Sequence, residues 1–289
     1  MRAFELKRGV YPYSIPPEDF LNRPYDSFRD ALYTLKKLNK TFPKLSEEYL
    51  KSYRGKIKKR IGKLDAAGKK EYQRYSNWFD EFDKETDKSK ESSLKITHKE
   101  LANILNIAYE TEDVHTQFGW FLREMSLVYL VARFEDFLKS CLRNVYLLLP
   151  ESMKMSDKRM SMKEIFSLKS LEDIHGMAID KQLDDVISKS ITDINKYLAD
   201  NFKLDLSKKT DWKEFKECFY RRNIVIHNDC CVNEWYRRNT GYKGKKQRLP
   251  IRRSYLMQVL RLFDEYSKFV WKFFHRKYFR RVVFVDDSK

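Results

Sequence analysis

The sequence predicts an all-α protein, with a helical N-terminal region followed by a larger helical bundle. Only 8 glycines and 7 prolines interrupt the 289 residues, and apolar residues recur at helical spacing through most of the chain. No apolar run reaches the length of a membrane span, so no membrane contact is expected. A chain of this length can bury a full core, as one large or two small domains.

Residues 1–95 are predicted to form a helical region of unassigned role. In chain order, its expected elements are a proline-rich extended segment at 10–25, helices at 26–39, 46–64 and 69–84, and a polar boundary at 86–95. Ser46 is the expected N-cap of the second helix, because serine side chains accept hydrogen bonds from helix N-termini. The third helix carries an aromatic stripe from Tyr72 to Phe82, which is more typical of core packing than of base stacking.

Residues 96–289 are predicted to form the helical bundle. Its expected elements are a helix opened by a Thr97/Glu100 capping box, a helix at 114–149 bent near Gly119, helices opened at Ser161 and Ser170, a helix capped by Asp211 and Glu214, and a last helix at 254–279. The apolar stripe from Leu127 to Val145 suits the centre of a bundle. The strand-like tail at 282–285 is expected to pair with a short strand at 249–251.

The net charge of +17 is concentrated near the C-terminus. Residues 212–289 hold 20 Lys and Arg against 8 Asp and Glu, or +12. One acid-free stretch, the basic segment, holds eight of these cations: Arg237, Arg238, Lys243, Lys245, Lys246, Arg248, Arg252 and Arg253. A phosphate backbone is the natural partner of such a segment. The alternative is a solvated basic loop.

Cysteine usage indicates a reducing compartment. The chain holds four cysteines, and Cys230 and Cys231 are adjacent, which does not form a disulfide framework. A cytoplasmic location is therefore expected, and the start of the chain lacks a signal-peptide h-region. His227 with these two cysteines has no Cys-x-x-Cys spacing, so a zinc site is not expected. No glycine-rich phosphate loop or paired Asp/Glu motif occurs, so neither a metal nor a cofactor is expected.

The chain's most informative stretch runs from Arg221 to Asp229 and closes an amphipathic helix. A guanidinium grips phosphate oxygens through a planar fork, and an imidazole moves protons near neutral pH. Together they suffice to cleave an RNA phosphodiester without a metal. Arg222 would clamp the phosphate and His227 would be general acid or base, with Asn223 orienting either group. Arg221, about 100° further round the helix, would serve substrate or a partner subunit.

A plainer interpretation of the same stretch remains open. His227 is favourable to the dipole at a helix C-terminus, and Asn228 and Asp229 are typical turn residues. The arginine–histidine spacing alone is a weak motif.

The wider context resembles the HEPN superfamily, in particular its RiboL-PSP-like and related nuclease branches. The similar positions are Asp211-Trp212, Arg221-Arg222-Asn223-x-x-x-His227-Asn228-Asp229, Val232-Asn233 and Tyr236. The segment Leu130–Leu138 is similar to that group's first bundle helix, with Glu135 at its acidic position. The resemblance covers roughly residues 115–280. Relatives often have glycine where Cys230 stands here, and a positive φ at that turn would be strained by a side chain.

The resemblance implies a homodimeric, metal-independent endoribonuclease, acting on RNA as a toxin or antiviral abortive-infection effector. The ribose 2′-hydroxyl would attack, and the product would be a 2′,3′-cyclic phosphate. Asn228 and Asp229 would support the site, and an antitoxin or other defence protein would be a possible partner. The alternative is a HEPN-type module that binds nucleic acid or a protein without cleaving it.

Glu135 and Asp136 lie inside the apolar stripe of the predicted central helix. If one of them faces inward, its carboxylate needs a cation. Arg221 or Arg222 is the candidate, which would give Glu135 a supporting role. Alternatively, both carboxylates lie at the edge of the stripe and are solvated.

Overall fold

The computed structural model describes residues 4–7, 19–84, 93–149, 170–279 and 282–285. Its helices are α1 (Asp19–Gly62), α2 (Ala66–Lys84), α3 (Lys99–Leu148), α4 (Leu171–Ile187), α5 (Ile191–Phe202), α6 (Trp212–His227), α7 (Glu234–Thr240) and α8 (Arg253–Phe274). A short 3₁₀ turn spans Leu206–Lys208, and a π turn spans His275–Phe279. The prediction of an all-α protein is confirmed.

Two four-residue strands accompany the helices, β1 (Phe4–Lys7) and β2 (Val282–Val285). They pair in parallel, with Phe4 opposite Val282. The tail is therefore a strand, but its predicted partner at 249–251 was wrong. Periodicity along one segment says nothing about which distant segment it meets, so the partner could not be read from the tail itself.

The chain divides into two compact units, residues 1–37 with 123–289, and residues 38–122. The predicted boundary near residue 95 does not coincide with either division. Both divisions fall inside helices, because α1 and α3 run through them without interruption. A polar stretch in a sequence marks the end of a helix. In this chain the two units are divided inside helices, so a polar stretch does not mark the division.

Helix α1 corrects the predicted separation at Ser46. The predicted helices at 26–39 and 46–64 are parts of one helix of 44 residues that ends at Gly62, and Ser46 is buried in its interior instead of capping a new helix. Serine lowers helix stability by only a fraction of a kcal/mol, so a cap signal does not by itself end a helix.

The start of α3 corrects a second capping prediction. The Thr97 amide and hydroxyl both donate to Glu71 of α2, at 2.9 and 2.8 Å. The His98 ring accepts from the Leu101 amide at 3.2 Å, and α3 begins at Lys99. Gly119 does not interrupt it, since α3 is one helix of 50 residues.

Later caps agree in part with the sequence. Ser170 caps α4 by accepting from the Asp173 amide at 3.1 Å, as predicted. Asp211 stands at the N-cap of α6 but makes no side-chain cap hydrogen bond, so the capping box was wrong although the start of the helix was right. The predicted start at Ser161 lies outside the described residues.

The core of the unit formed by 1–37 and 123–289 positions α6. Phe134 of α3 makes edge contacts with Phe215 of α6 and Phe263 of α8, each with ring centroids 5.3 Å apart. Phe215 also stacks on Tyr266 of α8 at 3.7 Å. Helices α3, α6 and α8 therefore share one buried aromatic layer, as the predicted bundle requires.

The last helix is α-helical to Phe274 and continues as the π turn to Phe279, in agreement with the predicted end at 279. Phe274 is buried in the main core. None of the helices in the described ranges has an apolar stretch that could span a bilayer.

Candidate functional site

Helix α6 packs on two sides, which determines where its polar residues point. Phe215 and Phe219 enter the main core. Tyr220 and Ile224 enter a smaller cluster with Tyr236 and Leu249. Ile226 near the end of the helix is apolar but is 45% exposed.

Arg222 is paired with Glu135 of α3. One Nη2–Oε1 distance of 2.6 Å joins them, and the two side chains are 23% and 18% exposed. Asp136 is exposed and pairs with Arg133 at 3.0 Å. The predicted inward-facing carboxylate is thus Glu135, and the alternative that both acids are solvated was wrong.

Arg222 only partly compensates for the burial of the Glu135 carboxylate. Burial raises the pKa of Glu135, and the Arg222 charge and hydrogen bond offset that rise in part. The Nε of Arg222 is buried and has no hydrogen-bond partner among the described residues. An arginine has five N–H donors in a fixed fork, so this guanidinium keeps donor capacity beyond Glu135.

Arg221 makes its contacts with other residues of the same chain, which corrects its predicted role toward substrate or a partner subunit. Its side chain is 13% exposed and donates to Glu217 at 2.8 Å and to the Leu249 carbonyl at 3.1 Å. Its guanidinium also lies over the rings of Tyr255, at 4.7 Å, and Tyr236, at 5.7 Å. These contacts use the cation to join α6, α7 and the start of α8.

Glu217, the acid that pairs with Arg221, is held by further hydrogen bonds. Glu217 accepts hydrogen bonds from the hydroxyls of Tyr236 and Tyr255, the latter at 2.7 Å. Burial and Glu217 raise the pKa of both tyrosines. Sequence reasoning missed Glu217, although it stands four residues before Arg221, the spacing at which helical side chains pair.

His227 is the last residue of α6 and is exposed, while Asn223 is half-buried. Five residues separate Arg222 from His227, so on a regular helix they lie about 7.5 Å apart along the axis and about 140° apart around it. In the part of the chain that the structure describes, no hydrogen bond joins the two side chains. The chain therefore brings Arg222 to Glu135 and leaves His227 exposed.

The turn after His227 is held by several backbone contacts. Asp229 and Cys230 both have positive φ, of 45° and 60°. The Cys230 amide donates to the Ile224 carbonyl at 2.9 Å, and the Asn228 side chain donates to the Cys231 carbonyl at 2.6 Å. Cys230 therefore carries a side chain at a backbone position that favours glycine, as expected from the sequence.

The same turn is tied to the basic segment. Arg248 donates to the Asp229 carboxylate at 2.9 Å and to its carbonyl at 3.2 Å. The Leu249 amide donates to the Cys230 carbonyl at 2.9 Å. These contacts hold the turn that follows His227 and join it to the basic segment.

The eight predicted phosphate-binding cations divide into two groups. Arg237 is engaged internally, donating to the Gly244 carbonyl at 3.1 Å and lying over the Tyr242 ring at 5.5 Å. Arg248 is exposed but paired with Asp229. The remaining six, which we call the exposed cations, point into solvent: Arg238, Lys243, Lys245, Lys246, Arg252 and Arg253.

A cavity of about 190 Å³ lies between α6 and α8, beside Glu217 and Tyr255. In the described part of the chain, neither Arg222 nor His227 lines it.

No group of three or more His, Cys, Asp or Glu residues in the described part of the chain is placed to hold a metal ion. Burial and Glu124 raise the pKa of Cys230 to about 12, which disfavours the thiolate.

Comparison of the chain with protein-family models, with curated proteins and with solved structures found no match.

Proposed function

We propose that the protein is a metal-independent endoribonuclease of the HEPN type. The observation that supports this most is the arrangement of Arg222 and His227. Arg222 is held by Glu135 at a helix–helix contact with its side chain still 23% exposed, and His227 is exposed, with six exposed cations following along the chain. A guanidinium and an accessible imidazole next to a polycationic surface can bind an RNA phosphate and move its protons.

In this proposal the ribose 2′-hydroxyl attacks the adjacent phosphorus. Either His227 removes the hydroxyl proton and water protonates the departing 5′ oxygen, or His227 protonates that oxygen and water takes the hydroxyl proton. The guanidinium of Arg222 stabilises charge on the non-bridging oxygens. The P–O5′ bond breaks, leaving a 2′,3′-cyclic phosphate and a 5′-hydroxyl. Asn223 holds the substrate phosphate, and Glu135 positions Arg222.

The separation of about 140° around α6 makes a second copy part of the proposal. A two-fold axis near the end of α6 would bring Arg222 of one protomer toward the partner's histidine. Ile226 supports an interface there, because it is a large apolar side chain left 45% exposed and lies four residues after Arg222, on the same helix face.

The biological role follows the HEPN resemblance. The proposed enzyme is a toxin or antiviral defence effector in the cytoplasm, controlled by an antitoxin or another protein of the same defence system. A nuclease that needs no metal is active wherever RNA is present, which makes such control necessary.

The test is cleavage of a defined single-stranded RNA by the purified chain in EDTA. We expect cleavage with 2′,3′-cyclic phosphate ends. We expect a loss of at least about 100-fold for His227→Ala, the lower end of the range for acid–base groups, and for Arg222→Ala, the lower end for a donor that stabilises transition-state charge. His175→Ala is a control for loss of a histidine. Arg143→Ala is a control for loss of a half-buried ion pair, since Arg143 pairs with Asp180 at 2.9 Å. Cleavage that requires a divalent metal, or that survives His227→Ala, would exclude this mechanism.

One observation favours a second candidate, a module that binds RNA without cutting it. The charge of Arg222 is already opposed by Glu135, and its position around α6 does not converge with His227 within one protomer. A binding module needs only the exposed cations. Tight, strongly salt-dependent RNA binding without cleavage under any condition would favour this candidate.

A further inference from the structure

Helix α7 presents an exposed tryptophan that the proposed chemistry does not use. Trp235 is 45% exposed, although tryptophan is highly buried on average. Its ring meets the Tyr220 ring edge-on, with centroids 5.0 Å apart and planes at 73°. The edge contact fixes the orientation of the indole without covering all of it.

The helix that carries Trp235 is firmly anchored. Asn233 caps α7 by accepting from the Tyr236 amide at 2.8 Å. Tyr236 is buried and bonded to Glu217 of α6. Trp235 stands between these two residues, so its backbone is held by the cap of α7 on one side and by the bond of Tyr236 to α6 on the other. A ring that is already ordered loses little entropy on binding a flat ligand.

Trp235 is related in space to His227 through Tyr220, a residue of α6 that contacts the indole. Tyr220, which contacts the indole, lies seven residues before His227. Seven residues are about two helical turns, so Tyr220 and His227 share a face of α6 about 10.5 Å apart along the axis. An extended single strand with one phosphate at His227 spans that distance in roughly two nucleotides.

The charges near the indole suit a nucleic acid. Arg238 follows three residues later on α7 and is exposed, and residues three apart are neighbours on a helix. Lys216 stands four residues before Tyr220 and occupies the same face of α6. The exposed acid Glu234 is adjacent in sequence but lies about 100° around α7. Single-strand binding sites combine such cations with aromatic rings on which bases stack.

We propose that Trp235 stacks on an unpaired base of single-stranded RNA, about two nucleotides from the phosphate that reaches His227. This inference rests on the proposed function for the placement of the cleaved phosphate, and it specifies the substrate class. A base must leave a duplex to stack on a side chain, so the preferred substrates are single-stranded segments and loops.

The experiment measures binding with the His227→Ala chain, which leaves RNA intact in the proposed mechanism. A short single-stranded RNA is compared with the same sequence as a duplex. Trp235→Ala is expected to weaken single-strand binding by about 5- to 100-fold, the range for loss of one stacked base, and to leave duplex binding unchanged. Trp235→Phe is expected to restore most of the affinity. Tyr33→Ala is the matched control, because Tyr33 is another exposed aromatic residue, 66% exposed on α1.

An RNA with a single abasic position, moved along the strand, identifies the stacked base. One abasic position should weaken binding to the Trp235 chain and have no effect on binding to the Trp235→Ala chain. Equal sensitivity of both chains at every position would overturn stacking. So would a change in oligomeric state in Trp235→Ala, seen by sedimentation, with RNA affinity unchanged, which would assign the indole to an interface between copies.

These outcomes separate the two proposals. If the wild-type chain cuts no RNA but Trp235→Ala weakens single-strand binding, the nuclease proposal fails and the stacking site stands. If the wild-type chain cuts RNA and Trp235→Ala changes neither affinity nor kcat/KM, the stacking site fails alone.

Discussion

Replacing Arg221 tests a structural arginine separately from its neighbour Arg222, the proposed catalytic arginine. In Arg221→Ala, the Glu217 carboxylate loses its cation and the Leu249 carbonyl loses a donor. Burial alone would lower the pKa of Arg221, but Glu217, Tyr255 and Tyr236 raise it overall. The charged guanidinium is therefore favoured by its surroundings, and the cluster depends on it.

The magnitude follows from the burial of the pair. Removing one partner from a buried ion pair costs about 3–5 kcal/mol, because the other charge remains buried. Arg221 and Glu217 are 13% and 20% exposed, so solvent screens them partly, and we expect the lower end, about 3 kcal/mol. Loss of the stacking on Tyr255 is part of this value. In a unit of about 200 residues, the shift in Tm should be roughly 6–12 °C.

The assay is thermal and urea unfolding followed by circular dichroism, with Arg222→Ala as the matched control. Arg222 is more exposed than Arg221, at 23% against 13%, and it makes a single contact with Glu135, so we expect Arg222→Ala to cost about 1–2 kcal/mol. Arg221→Lys keeps the charge but loses the planar fork, and should fall between wild type and Arg221→Ala. If Arg221→Ala unfolds within 1 kcal/mol of wild type, the cluster does not stabilise the fold as argued.

Three other perturbations have expected outcomes. Lys203 caps α5 with φ of 61°, where a side chain costs about 1–2 kcal/mol, so Lys203→Gly should stabilise the chain by about 1 kcal/mol in urea unfolding; a loss of stability would contradict this. Lys245→Gln with Lys246→Gln should reduce the slope of log affinity against log salt by about 1.4 for single-stranded RNA, whereas an unchanged slope would place RNA elsewhere. Hydrogen bonds from Thr97 and His98 lower the pKa of Glu71 from 4.5 to about 2. The stability that Glu71 contributes is present above pH 4.5 and is lost as pH falls toward 2, so wild type should lose more stability than Glu71→Gln over that interval; parallel curves would refute it.

The sequence predicted the elements whose signals are local. The apolar stripe of α3 from Leu127 to Val145 is buried at the expected positions, and Ser170 caps α4. Helix continuity through Ser46 could not be predicted, because a cap residue is compatible with both a start and an interior position. The partner of β2 is 278 residues away at β1, and no local pattern encodes such a pairing.

For the candidate site, the sequence predicted the residues better than their directions. It predicted that Glu135 would meet Arg221 or Arg222, and the pair formed is with Arg222. Which arginine faces α3 depends on the rotation of α6 about its axis. That rotation is set by Phe215 and Phe219 on one side and by Tyr220 and Ile224 on the other.

The same rotation explains why adjacent arginines differ in role. A helix that buries two faces leaves the rest of its circumference to polar residues. On α6, Arg221 reaches the flank toward Tyr255 and Arg222 reaches the contact with α3, about 100° apart. A change that altered the packing of Tyr220 or Ile224 would turn both guanidiniums together, so it would weaken the Arg221 cluster and misplace Arg222 at once. The stability of the smaller cluster and the geometry of the proposed catalytic arginine are therefore coupled through one helix.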